Sequence, residues 1–173
     1  MAKTNDWENI KKKMEAEKER HILKTLAITC DKLIKHACIA REYMAFTGNT
    51  LTSYSCGIYK NGRLVYVVSS GDNLRKPVHK KVKLRKRVFL KRPYEGPGRA
   101  VVGAVNVNDK SGQYTAEDFL DSYKDVPKKG FAIVMTTGTE YSEYLENVVK
   151  LNVLSNTYRK AGEILMNSIK PID

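Results

Sequence analysis

The side chains in this sequence that could do chemistry are three histidines, three cysteines and a few paired carboxylates. His21, His36 and His79 are scattered, and none shares standard metal-ligand spacing with a Cys, His or acidic residue. On a charged helix or beside Lys80 they read as solvated or helix-packing residues. Cys30, Cys38 and Cys56 are odd in number, lack a close metal-type pairing and follow no secretory leader, which points to a reducing compartment. Among Leu33, Ile34 and Ala37, Cys30 and Cys38 are expected to act as small buried hydrophobes. Glu117 with Asp118, and Glu143 with Glu146, are pairs that a helix routinely places on its wet face; acid–base catalysis would also need a pocket and shifted pKa values. There is no serine nucleophile elbow, and Gly96, Gly98 and Gly103 lack the Gly-Lys-Ser/Thr sequence and following helix of a phosphate loop. The expectation is a non-enzymatic protein with no metal and no cofactor, working through its surfaces.

Those surfaces have to be positioned by one domain of ordinary size, 1–173, with 42% apolar residues to fill a core. From about Asp6 to Ala45 the chain has neither Pro nor Gly, and Asn5 followed by Glu8 resembles a capping box. Leu23, Leu26, Cys30, Leu33, Ala37, Ala40 and Met44 form one helical stripe, so residues 1–46 are expected to be an N-terminal helix ended near Gly48. Lys11 to Arg20 is mostly charged, and this front part should project into solvent or touch another subunit. Ser53, Ser55 and Gly57 alternate with Tyr54, Cys56 and Ile58. Asn61-Gly62 then supplies a type I′ turn, and Leu64 to Val68 return as a strand.

Farther on, Ala100 to Val107 read as a strand and Asp109 to Gln113 as a loop. Thr115 with Asp118 caps a short helix that ends by Pro127 and Gly130. Phe131 to Thr137 is β-branched and apolar on both faces, which predicts a central strand. A helical turn through Tyr141, Tyr144 and Leu145 follows. The last helix, about Val153 to Ile169, carries Leu154, Tyr158, Ala161, Leu165 and Ile169 on one face. The fold class expected is α+β, with a long N-terminal helix and a C-terminal helix packed on a small, mainly antiparallel sheet. No apolar run approaches the length needed to span a bilayer, so no membrane partner is expected.

The formal charge is +12, and much of it is concentrated in an inserted basic β arm, 74–95. Arg75, Lys76, Lys80, Lys81, Lys83, Arg85, Lys86, Arg87, Lys91 and Arg92 occur there with no acidic residue from Leu74 to Arg92. Val82, Leu84, Val88 and Leu90 alternate with basic residues, which predicts an extended two-stranded arm. Such a run suits a duplex phosphate backbone, an acidic partner protein or plain solvent. Phe89 and Tyr94 are too few for base stacking.

The order of elements resembles the tail-completion and head–tail joining proteins of tailed bacteriophages. The resemblance is carried first by the long helix leading through Thr47, Gly48, Asn49, Leu51 and Ser53 into a hairpin. It is carried again by Phe131 to Thr137 running through Gly138 and Thr139 into Tyr141, Ser142, Glu143, Tyr144, Leu145 and Glu146. This stretch is similar to the family's Tyr-Ala-x-Tyr-Val-Glu signature. Ser142 stands where the family has Ala, and Asn147 where it commonly has Gly. The resemblance implies a homo-oligomeric ring, sixfold or twelvefold, in the virion neck or tail barrel. Such a ring connects portal and tail around the DNA ejection channel and is assembled in the host cytoplasm. Its implied partners are further copies of the chain, the portal, other neck or tail proteins and the genomic DNA. Tyr141, Tyr144 and Glu146 would pack helix on sheet or meet the next subunit. The alternative is a free basic nucleic-acid-binding protein acting through Leu74 to Arg92.

Overall fold

Without Pro or Gly to interrupt it, the chain from Lys3 to Ala40 forms one 38-residue helix, α1, in the computed structural model, about 57 Å long at 1.5 Å per residue. The structure describes residues 3–45, 47–77, 88–90, 100–102 and 112–169. Because α1 begins at Lys3, Asn5 and Glu8 lie inside the helix and do not cap it. It also stops earlier than the apolar stripe suggests. Beyond Ala40 the chain leaves the helix, Tyr43 and Ala45 turn into the core, and the Tyr43 hydroxyl meets that of Tyr54 at 2.8 Å. Met44, the last member of the predicted stripe, is left exposed. Gly48 does adopt the left-handed conformation (φ 82°), but as the residue preceding a four-residue helix, α2 (Asn49–Thr52).

The hairpin forms as its alternation requires. β1 (Tyr54–Lys60) pairs antiparallel with β2 (Arg63–Ser69), and Asn61 and Gly62 both have positive φ, 51° and 81°, the values a type I′ turn needs. Two further short strands, β3 (Val88–Leu90) and β4 (Ala100–Val102), pair antiparallel as a separate two-stranded sheet. The partner of Val88 and Leu90 is therefore the start of the strand expected from Ala100; Val82 and Leu84, expected to form the arm's other strand, and residues 103–107 lie outside the described residues. α3 (Gly112–Ser122) starts before Thr115, so Thr115 sits in its first turn and Gly112 and Gln113 belong to the helix, not to a loop.

β5 (Phe131–Thr137) completes a sheet of order β2-β1-β5. Among the described residues it is therefore an edge strand, and β1 is central. The apolar character of both β5 faces, which reads as centrality, has another cause: helices cover the sheet above and below. Tyr54, Cys56 and Ile58 face α1, where Cys30, Leu33, Ile34 and Ala37 are buried, and Ile133 and Met135 share that side. On the opposite face Leu120 of α3 packs over Gly57, where an added Cβ would come within 3.2 Å of it, and the Tyr59 hydroxyl donates to the Leu120 carbonyl at 2.5 Å.

Two further helices, α4 (Glu140–Asn147) and α5 (Ser155–Met166), complete the α+β fold. α5 is fastened to α1 through His36 Nδ1 and Thr157 Oγ1, 3.0 Å apart, and through Lys32, whose ammonium donates to the Asn167 carbonyl at 3.0 Å.

Candidate functional site

Along β5 runs a trough of ≈ 1250 Å3. Its floor is the outer side of β5; Thr115, Phe119 and Tyr123 form one wall, and Leu154, Tyr158, Ala161 and Leu165 of the α5 side form the other. Four of the five residues read as one face of the last helix thus line an open groove, and the fifth, Ile169, lies past the end of α5 and is exposed. Tyr158 is 84% exposed, because the stripe faces the trough more than the sheet. Among the described residues no strand pairs with the outer edge of β5.

α4 closes one end of the trough. Thr139 precedes it, and a chain of hydroxyls runs from Ser53 to Thr137 (2.6 Å), on to Ser142 (3.3 Å), then to Thr139 and Thr50 (3.2 Å). Ser142 is buried, and its hydroxyl does bonding there that an alanine methyl could not. Of the predicted interface trio, Tyr141 and Tyr144 stack with ring centres 5.4 Å apart and stay 59% and 47% exposed, so they form a surface patch and not core.

Glu146 does something the pairing pattern did not reveal. Its carboxylate accepts from the backbone N–H groups of Val153 (2.7 Å), Leu154 (2.8 Å) and Ser155 (3.2 Å), which fixes the start of α5. Burial pushes its pKa up, but the hydrogen bonds from Ser155, Leu154 and Val153 outweigh this, and the net position is below the ordinary Glu value. A carboxylate beside unpaired N–H groups also complements the helix dipole, as Lys32 does at the other end. Glu117 is likewise occupied, accepting from Ser69 Oγ at 2.7 Å and Gln113 Nε2 at 2.9 Å. The i, i+3 spacing of Glu143 and Glu146 carries no hint of the cap, because its partners lie seven to nine residues downstream.

The basic arm is anchored beside this end of the trough. Gln113 Nε2 donates to Asp72 at 2.9 Å, and the Gly112 N–H donates to Asn49 Oδ1 at 2.8 Å. Segment 73–111 therefore leaves and re-enters the fold at one place. Arg75 and Lys76 are exposed at its start. Lys80, Lys81, Lys83, Arg85, Lys86, Arg87, Lys91 and Arg92 lie outside the described residues, as does His79. Among the described residues no cluster of His, Cys, Asp and Glu could hold a metal ion, and no helix is long and apolar enough to cross a membrane.

The three cysteines are free thiols. Cys30 and Cys56 face each other between α1 and β1, with Sγ atoms 2.9 Å apart. The hydrogen bond between them, and then burial, push the Cys56 thiol far up.

Comparison with known proteins returns no matching family model, no matching curated protein and no matching solved structure.

Proposed function

We propose that this chain is a structural subunit that assembles with copies of itself into a ring, as a neck or tail-barrel component of a tailed phage virion connecting portal and tail around the DNA channel. One observation carries the reading. From Asp6 to Lys18 every side chain of α1 is exposed. Glu19 pairs with Lys60 at the closed end of the hairpin, so the helix before it extends past the sheet. An isolated helix of that length is marginal in water. Trp7, Ile10 and Met14, spaced three and four apart, are 67%, 48% and 52% exposed. Such a stripe on a projecting helix is a surface for another protein chain.

The remaining exposed apolar groups, Val65 and Tyr66 on β2 and the Tyr141–Tyr144 pair, support contacts on more than one side of the subunit. Contacts between unlike faces close into rings when the rotation allows. The groups that could react are engaged structurally, Glu146 and Glu117 as above, and this favours an assembly role over catalysis. The placement in a phage neck rests on the resemblance of the strand-to-helix stretch Phe131 to Glu146.

Sedimentation and negative-stain imaging of the purified chain test it, with ring particles expected. A chain that stays monomeric at high concentration, alone and with portal and tail proteins, and that binds duplex DNA with steep salt dependence would instead establish the free nucleic-acid-binding reading, which the ten cations from Arg75 to Arg92 favour.

A further inference from the structure

We propose that the trough beside β5 is an acceptor site for the basic arm of a second copy of this chain, which adds to the free edge of β5 as a further strand. The inference rests on the assembly reading and specifies its contact.

The acceptor is argued from what β5 lacks. Exposed edge strands normally carry a charge, a proline or a cover, since their unpaired N–H and C=O groups otherwise recruit foreign strands. Phe-Ala-Ile-Val-Met-Thr-Thr has neither charge nor proline. Its edge lies between the apolar walls of α3 and α5, and a strand placed there would bury Phe119 and Leu165 as well as bond to the backbone.

The occupant is argued from charge and from where the arm is rooted. Residues 112–147, which make the floor, the α3 wall and the α4 end, hold seven carboxylates and three lysines. Residues 74–111 hold twelve Lys or Arg and two carboxylates. Glu143 is exposed in the lining, Asp118 is exposed on α3 next to Phe119 of the wall, and Arg159 lies on the α5 side. Paired to β5 as a strand, the alternating sequence of the arm would present Val82 and Leu84 to one side and Lys81, Lys83 and Arg85 to the other. That matches an apolar trough flanked by the carboxylates of Glu143 and the neighbouring Asp118. The arm's roots lie against the trough of its own chain, yet among the described residues β3 and β4 pair with each other and no strand pairs with the β5 edge. Donation to a neighbour lets every subunit of a ring give one arm and receive one.

Disulfide trapping between copies tests this. In full-length chains with Cys38→Ser, one copy carries Thr136→Cys, and differently tagged copies carry cysteine at 82, 84 or 88. Mild oxidation of the mixture should yield a cross-link between copies for at least one arm position. Asp118→Lys with Glu143→Lys on the acceptor should lower its rate several-fold, and Lys81→Glu with Lys83→Glu on the donor should restore it. As a second measurement, amide exchange in β5 should slow by about tenfold or more from dilute monomer to oligomer. Rings that form with no trapped pair and unchanged β5 exchange overturn the acceptor site and leave the ring intact. In a control chain that carries both Thr136→Cys and an arm cysteine, a cross-link that forms only within that single chain, with none between copies in the mixture, also overturns it. A monomer at every concentration overturns both readings.

Discussion

Gly138 and Gly112 meet backbone to backbone: a Cβ on Gly138 would overlap the Gly112 carbonyl oxygen and crowd the Ala116 amide. This contact brings the end of β5 against the start of α3, where the chain returns from the basic arm. Gly138→Ala must push α3 away, and overpacking of that kind costs about 1–3 kcal/mol. Gly162 in α5 has nothing within 4 Å of the same added atom, so Gly162→Ala should stabilise by roughly 0.5–1 kcal/mol through helix propensity. Urea midpoints of the two variants should move in opposite directions.

The cap on α5 gives an acid-side prediction. Because the folded Glu146 carboxyl lies below its ordinary value of 4.5, its contribution is complete above that value and is lost as pH falls through the lower folded one. Glu146→Gln keeps the shape but not the charge and should cost about 1 kcal/mol at neutral pH. The difference between wild type and variant should shrink as the pH drops below the ordinary Glu range, measured by denaturant unfolding at a series of pH values.

On the alkaline side the Tyr43–Tyr54 pair governs. Tyr54 donates to the Val153 carbonyl at 3.2 Å, so its single proton is used there and Tyr43 donates to Tyr54. Burial pushes Tyr43 up to about 12 and Tyr54 higher still. Stability from the neutral phenols is present below the ordinary value of 10.0 and lost as pH rises toward 12. Tyr54→Phe leaves the Val153 carbonyl without this donor and should cost about 1–2 kcal/mol at pH 7, while flattening the alkaline limb of the stability curve. A limb as steep as wild type would remove these phenols from the account.

How much of this could be read from sequence depends on the range of the cause. Asn61-Gly62 fixes its turn by backbone preference alone, and the stripe through Cys30, Leu33 and Ala37 fixes the inward face of α1 by helical period. The rest is tertiary. α1 stops at Ala40 because the Tyr43 hydroxyl has a partner on β1. β5 looks central because two helix layers produce the same two-sided pattern as two neighbouring strands. Leu154, Tyr158, Ala161 and Leu165 form a true helical stripe, but periodicity does not tell a core from a groove. The trough was therefore half legible, as an apolar face whose counterpart could not be named.

The thiols separate by environment. Cys30 and Cys56 are fully buried against each other, whereas Cys38 is partly exposed, with burial raising its pKa. A thiol reagent should modify Cys38 alone in the native protein, slowly at neutral pH because little thiolate is present. All three should react once the chain is unfolded. Fast labelling of Cys30 or Cys56 would mean that α1 lifts from β1 under native conditions.

The projecting part of α1 separates folding from assembly. Trp7, Ile10 and Met14 lie beyond Glu19, the residue that joins the helix to the hairpin end, and all are exposed. Replacing all three by serine removes apolar surface that the subunit itself does not bury. Surface changes away from the core usually stay within about 0.5 kcal/mol each, so the urea midpoint of the isolated subunit should hardly move. Sedimentation should nevertheless shift toward monomer, because burying three large side chains at a contact is worth about 1.5–3 kcal/mol apiece. If instead the variant loses stability as a monomer, the front of α1 packs within its own subunit. If neither property changes, this stripe is not the assembling surface, and the contacts must come from β2, the Tyr141–Tyr144 pair and the β5 edge.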